Sequence, residues 1–176
     1  MVEFREDFLV YPSMIRLAAC LCTEIEASGL PTPCSCGVVP GPIAVLESCS
    51  SCADGKCGGQ AWVRLMDAVQ SKDFPAPDAE LSTCASPLMW TLEVGIARCA
   101  PMGTNSPVRG FTPPTIDAYL AAVRLQMADM AAMRRAIACC FADGTNSYLL
   151  GGYAPLTVEG GCEGGVWTVQ VWEVGD

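Results

Sequence analysis

The cysteines are the residues of this chain best suited to chemistry. There are twelve in 176 residues, and five of them crowd into one stretch rich in Pro and Gly. Two thiolates at Cys-x-Cys or Cys-x-x-Cys spacing can bind one zinc ion from a single turn, and two such pairs complete a tetrahedral site. The pattern predicts one cofactor, a structural zinc ion held by Cys34, Cys36, Cys49 or Cys52, and Cys57.

The same thiols have two other readings. One or two disulfides could form after release from the cell, as in proteins that work in oxidising surroundings. Free and partly buried thiols would instead act as small hydrophobic side chains. The spacing is irregular compared with a standard zinc ribbon, so the residues themselves leave all three states open.

Histidine is absent from the chain, which removes the usual general base near neutral pH and the commonest metal ligand. Ser-His-Asp and Cys-His nucleophile arrangements are therefore excluded. The glycine-rich segment 160–165 precedes a strand rather than a helix, so it predicts a turn and not a phosphate cradle. We expect no catalytic residues and no enzymatic activity.

Composition favours a subunit of an assembly. About half of the residues are apolar and only 16% are charged, with ten basic residues against nineteen acidic ones. That balance argues against tight nucleic-acid binding, which relies on Lys and Arg. No apolar run is long enough to span a bilayer, and the N-terminal residues lack the pattern of a signal peptide. The scarcity of charge fits a compact globule with few polar surface residues, and it also fits a subunit whose surface is partly buried in an assembly, which is the interpretation we favour.

Hydrophobic spacing divides the chain into elements of a single domain, 1–176, interrupted by a cysteine-rich loop insertion at 30–60 and a Pro-rich loop at 71–87. A helix starts at Pro12 and ends before Gly29, with its apolar positions on one face. Short strands are predicted at 43–46 and 60–69. The best strand is 88–99, whose alternation predicts one buried face and one solvated or interfacial face.

The last third contains a long helix and a hairpin. The helix is predicted over 112–141, and its core stripe consists of Ile116, Leu120, Val123, Met127, Met130, Ile137 and Phe141. The hairpin pairs 153–159 with 166–174 around the 160–165 turn. Trp167 and Trp172 fall on opposite faces of its second strand, so at least one is a candidate interface residue. The order of elements predicts an α+β domain with a mixed, mainly antiparallel sheet flanked by the two helices.

This order of elements and the amino-acid sequences of several segments resemble the tail-terminator or head-to-tail neck proteins of long-tailed phages of actinobacteria. The segments that carry the resemblance are 59–65, 74–78, 92–102, 125–140 and 159–169. None of them encodes chemistry, so the resemblance brings no catalytic residues. The cysteine-rich loop departs from a minimal terminator domain.

The resemblance implies a structural virion protein, present in the host cytoplasm during assembly and then at the top of the tail. Its copies would form a hexameric ring that caps the tail tube and joins it to the neck. The implied partners are other copies of the chain, the major tail tube protein and a neck stopper or connector protein. DNA would only pass through the lumen, and no membrane is involved. The alternatives are another head-tail connector, an adaptor or stopper, and a zinc-stabilised binding module of the host cytoplasm.

Overall fold

The structure is a computed structural model that describes residues 10–41, 59–78, 87–142, 144, 147–156 and 161–172. The helices are α1 (Val10–Ala27) and α2 (Ile116–Cys140). The strands are β1 (Ser35–Val38), β2 (Gln60–Gln70), β3 (Leu88–Cys99), β4 (Thr104–Ser106), β5 (Gly110–Thr112), β6 (Ser147–Pro155) and β7 (Cys162–Trp172).

Five strands form one mixed sheet in the order β1-β2-β3-β7-β6, and β4 pairs with β5 in a separate hairpin. Only the β1–β2 pair is parallel. Both helices pack on one face of the sheet, with α1 over β1 and β2 and α2 over β7. The predicted α+β class, with a mainly antiparallel sheet, two flanking helices and a hairpin late in the chain, is confirmed.

Helix α1 has the predicted position and the predicted inner face. Its buried apolar side chains recur at helical spacing and contact the sheet: Met14, Leu17, Ala18, Leu21 and Ile25. Pro12 lies in the first turn, where the missing N–H costs nothing. The helix ends before Gly29, whose φ of 66° is the left-handed conformation that glycine adopts easily.

Strands β2 and β3 also lie where alternation predicts them. Ala61 and Val63 of β2 face the helices together with the even-numbered apolar residues of β3, namely Trp90, Leu92, Val94 and Ile96. The expectation of a solvated or interfacial second face fails near the centre of the sheet. Trp62 and Ala97 point to that face and are 1% exposed, in a second cluster with Cys162 and Val166.

Helix α2 is shorter and turned differently from the prediction. Thr115 is its N-cap and accepts a hydrogen bond from the Ala118 amide at 3.2 Å. The buried residues are Asp129, Ala132, Met133, Ala136, Ile137 and Cys140. The centre of the predicted stripe lies roughly 100° around the helix axis from the centre of these buried residues, which is about the rotation between two successive residues. Of that stripe only Ile137 and Phe141 are core, and its first four residues are exposed.

The terminal hairpin is confirmed as a hairpin, but its strands and turn are displaced. β6 begins at Ser147, before the predicted start, and β7 already begins at Cys162, so Gly164 and Gly165 are strand residues. Tyr153 pairs with Trp167. β1 was not predicted, because four residues inside a loop-like stretch show no period. The strand predicted at 43–46 lies outside the described residues.

Candidate functional site

The cysteines that the structure describes are mostly in disulfides. Cys22 of α1 is bonded to Cys36 of β1, with their Cα atoms 6.0 Å apart. Cys34, Cys99 and Cys162 are disulfide-bonded as well. Cys49, Cys52 and Cys57 belong to the part of the chain that the structure does not describe. The bond between Cys22 and Cys36 fixes the first helix to the edge strand of the sheet.

The predicted zinc set therefore includes two residues in disulfide form, Cys34 and Cys36. A cysteine binds zinc only as its thiolate, so metal binding by this set would require those bridges to be open. Among the residues with described positions, no group of three or more Cys, Asp or Glu is arranged to hold a metal ion. Zinc in the reduced chain stays a hypothesis.

We expect the Cys22–Cys36 bond to contribute about 3 kcal/mol to the free energy of unfolding. The bond closes a loop with a sequence separation of 14, and cross-linking a loop of roughly 15 residues removes about that much chain entropy from the unfolded state. The double variant Cys22→Ser, Cys36→Ser should show the loss in urea unfolding monitored by tryptophan fluorescence.

The matched control for that variant is Cys139→Ser, which removes an exposed free thiol and should leave the free energy of unfolding within about 0.5 kcal/mol. EDTA should have no effect on the oxidised wild type. Destabilisation by EDTA, with indifference of the wild type to reductant, would contradict the disulfide assignment and favour the zinc hypothesis.

The described cysteines that remain free lie at the interface of the two helices or beside it. Cys140 is buried, whereas the adjacent Cys139 is exposed. Burial raises the pKa of the Cys140 thiol to about 12, and the neighbouring Cys20 thiol adds to the rise. Because the thiolate is the reactive form, Cys140 is inert near neutral pH.

A buried ionic group that was not predicted lies on the sheet face away from the helices. The Glu93 carboxylate accepts hydrogen bonds from Arg64 Nε at 2.6 Å and Nη2 at 2.8 Å, and from Trp62 Nε1 at 2.9 Å. Arg64 and Glu93 are directly paired in the β2–β3 register. The opposite charges of these two residues on neighbouring strands could have indicated the ion pair. The alternation of apolar and polar residues instead placed them on the face predicted to be solvated or interfacial.

A second buried ion pair connects the sheet to α2. The Arg98 guanidinium donates to both carboxylate oxygens of Asp129, at 2.7 and 2.9 Å, and a further hydrogen bond reaches the Pro31 carbonyl. The Arg98 and Asp129 side chains are 4% and 3% exposed. Two hydrogen bonds join the guanidinium to the carboxylate in a bidentate arrangement, which is consistent with a structural role.

Trp167 and Trp172 lie on opposite faces of β7, as predicted, and both are half-buried. Trp167 Nε1 donates to the Met130 carbonyl at 3.1 Å, on the helix side. Trp172 Nε1 donates to the Ser71 carbonyl at 3.1 Å, and its ring stacks on Phe74. Each indole thus fixes a neighbouring segment within the chain. Their role as interface residues stays a prediction.

A row of exposed apolar side chains lies on the first half of α2. We call it the apolar stripe, and it consists of Ile116, Tyr119, Leu120, Val123 and Met127, exposed by 43 to 78%. Three further side chains before α2 in the chain, two in the β4–β5 hairpin and one just before it, are 66 to 92% exposed: Met102, Val108 and Phe111. Single exposed apolar residues are ordinary, but a row of this size is typical of an interaction surface.

A concave apolar surface lies elsewhere on the subunit. This groove has a volume of about 540 Å³ and no charged residue in its lining, which includes Tyr11, Ile15, Val38, Pro40 and Leu65. It runs between the first turns of α1 and the chain leaving β1, beside the edge of the sheet. Tyr11, Ile15 and Leu65 are 37 to 52% exposed.

The buried carboxylates are held by arginines, the buried thiol is protonated, and the exposed residues of note are apolar. Neither helix is long and apolar enough to cross a membrane. In comparison with known proteins, no family model and no curated protein matches this chain.

Proposed function

We propose that this chain is a structural virion protein, a tail terminator whose copies form a hexameric ring that caps the tail tube and joins it to the neck. The proposal rests on the resemblance of the sequence together with one structural observation, the exposed apolar stripe of α2. In a single chain the stripe is exposed to water, whereas association of subunits would bury it.

The low charge of the chain supports an assembly in the same way. Charged residues make up only 16% of the chain, so few are available to cover an apolar surface, and interface cores are depleted of charge. The net charge of −9 also suits a ring through which DNA passes without adhering. The absence of histidine removes the commonest catalytic arrangements.

The first test is the mass of the purified protein in solution. We expect native mass spectrometry and light scattering at low micromolar concentration to give one species of about six times the 18.5 kDa chain mass. A ring should be visible by negative-stain electron microscopy. A single-chain species at all concentrations would contradict the ring.

The second test separates a terminator from other neck proteins. Purified protein is mixed either with tail tubes assembled from the major tail tube protein or with isolated necks. A terminator should sediment with the tubes and be seen at one end of each. Binding to necks alone would favour the adaptor or stopper alternative, and a single chain with one zinc ion would favour the cytoplasmic module.

A further inference from the structure

We infer that the copies of this chain associate head to tail, with the apolar stripe of one subunit seated in the groove of the next. The inference rests on the proposed ring and specifies its contact. A closed ring needs two different surfaces on each subunit, because a surface that binds only itself gives a dimer. The stripe and the groove are two apolar surfaces at separate places on one chain.

The stripe is exposed because the buried residues of α2 lie on another side of the helix. The first hydrogen bond from α2 to the sheet, among the described residues, is from Gln126 to the Gly164 carbonyl. At the other end of the helix, Phe141 stacks on Tyr148. Residues 116–125 therefore precede the first of these contacts by up to roughly 15 Å along the helix axis, at 1.5 Å per residue, with Ala118, Ala122 and Leu125 half-buried on the inner side.

Helix α1 does not cover residues 116–125 of α2 either. It runs antiparallel to α2, with the Arg16 guanidinium 5.5 Å above the Phe141 ring. Ser28, one residue after the end of α1, accepts a hydrogen bond from Arg135. The end of α1 thus lies near Arg135, six residues after Asp129, and the first turns of α2 extend past it.

The groove lies at the other end of α1, since Tyr11 and Ile15 are in its first two turns. It also lies on the β1 side of the sheet, whereas α2 lies over β7. A subunit therefore presents a convex apolar helix at one place and a concave apolar groove at a distant one. Two such surfaces on one subunit cannot meet each other, but they can meet on neighbouring copies.

The exposed apolar area on the helix side is of the size that one partner contributes to a stable contact. The stripe and the three further side chains in and before the β4–β5 hairpin, at the exposures given above, together expose on the order of 800 Å², taking roughly 150 to 200 Å² for each complete large side chain. A specific interface buries about 800 Å² on each partner. Because neither surface carries charge at its centre, association leaves no buried ion unpaired.

The test uses one variant on each surface. Leu120→Arg places a charge in the stripe and Leu65→Arg places one at the groove, at residues that are 50% and 37% exposed, so neither change disturbs the core. Each variant alone should lose the ring and run as a single chain in light scattering. Ala121→Arg, on the side of α2 that carries Asp117 and Arg124, is the matched control and should keep the ring.

Mixing the two variants gives the sharpest outcome. The Leu120→Arg chain keeps an intact groove and the Leu65→Arg chain keeps an intact stripe, so one good contact can form between them. We expect an equimolar mixture to give a two-chain species at a concentration at which each variant alone stays single. Circular dichroism and urea unfolding should show that both variants are folded.

Three results would overturn the inference. If both variants still form the wild-type ring, the contact lies elsewhere although the ring stands. If only Leu120→Arg disrupts the ring, the stripe binds a surface other than the groove, which would then be occupied by another part of the same chain or by nothing. If the mixture stays single, the head-to-tail pairing is wrong. A wild type that is itself a single chain would instead defeat the proposed function.

Discussion

Replacing Asp129 by alanine is expected to lower the free energy of unfolding by about 3 to 5 kcal/mol. The reason is the guanidinium of Arg98, which would lose both hydrogen bonds to the carboxylate while remaining buried. Removing one partner of a buried pair costs more than the pair itself contributes, because the remaining charge has no water to solvate it. Urea unfolding at neutral pH measures the loss.

Two further variants determine whether the cost is due to the stranded charge. Asp117→Ala removes a carboxylate from the exposed first turn of the same helix and should cost no more than about 1 kcal/mol through the helix dipole. The double variant Arg98→Met, Asp129→Leu removes both charges and should recover a large part of the stability. A loss below about 1 kcal/mol for Asp129→Ala would mean that the pair behaves like an exposed one.

Gly164→Ala should lower the free energy of unfolding by about 3 kcal/mol or more. A Cβ atom at this residue would lie 2.0 Å from the Ile96 carbonyl oxygen of the neighbouring strand, and backbone in the middle of a sheet cannot move aside cheaply. The expected loss in urea unfolding is therefore larger than that of an ordinary glycine substitution in a strand. The reason is the close approach of two strands, and not a turn conformation.

Gly152→Ala is the control for that variant. Gly152 is also a strand glycine, in β6, and a Cβ atom there has no neighbour within 4 Å. Replacement should be neutral or slightly stabilising, since alanine restricts the unfolded chain. Equal effects of the two substitutions would show that β3 and β7 can separate enough to accept a methyl group.

Alternation and helical spacing predict the framework of this fold because the framework is local. The periods of α1, β2 and β3 are clear over ten or more residues, and those elements begin and end close to the predicted bounds. Strand β1 has four residues and no clear period, and its partner β2 is more than twenty residues away in the chain. Only the completed sheet determines that pairing.

The errors at the candidate site have a common cause, which is that a pattern shows which residues share a face but not what covers it. Arg64 and Glu93 share the face opposite the core residues, as alternation requires, yet they are buried. The stripe of α2 is a true helical face, but the face that packs is the one carrying Asp129 and Ala132. The Cys22–Cys36 pairing likewise depends on the packing of α1 against β1.

The order of the strands also has a consequence for how the chain is made. β3 is the middle strand of the sheet, and one of its two neighbours is β7, so residue 89 pairs with 172 and residue 99 with 162. A ribosome delivers β1, β2 and β3 long before β7, and pairings between distant segments form slowly. Until β7 has been synthesised, the β3 edge with its buried Glu93 and Arg98 is open to any other strand. Several nascent chains can lie close together on one mRNA. We therefore expect mispairing between them to be most frequent after β3 has been synthesised and before β7 has been.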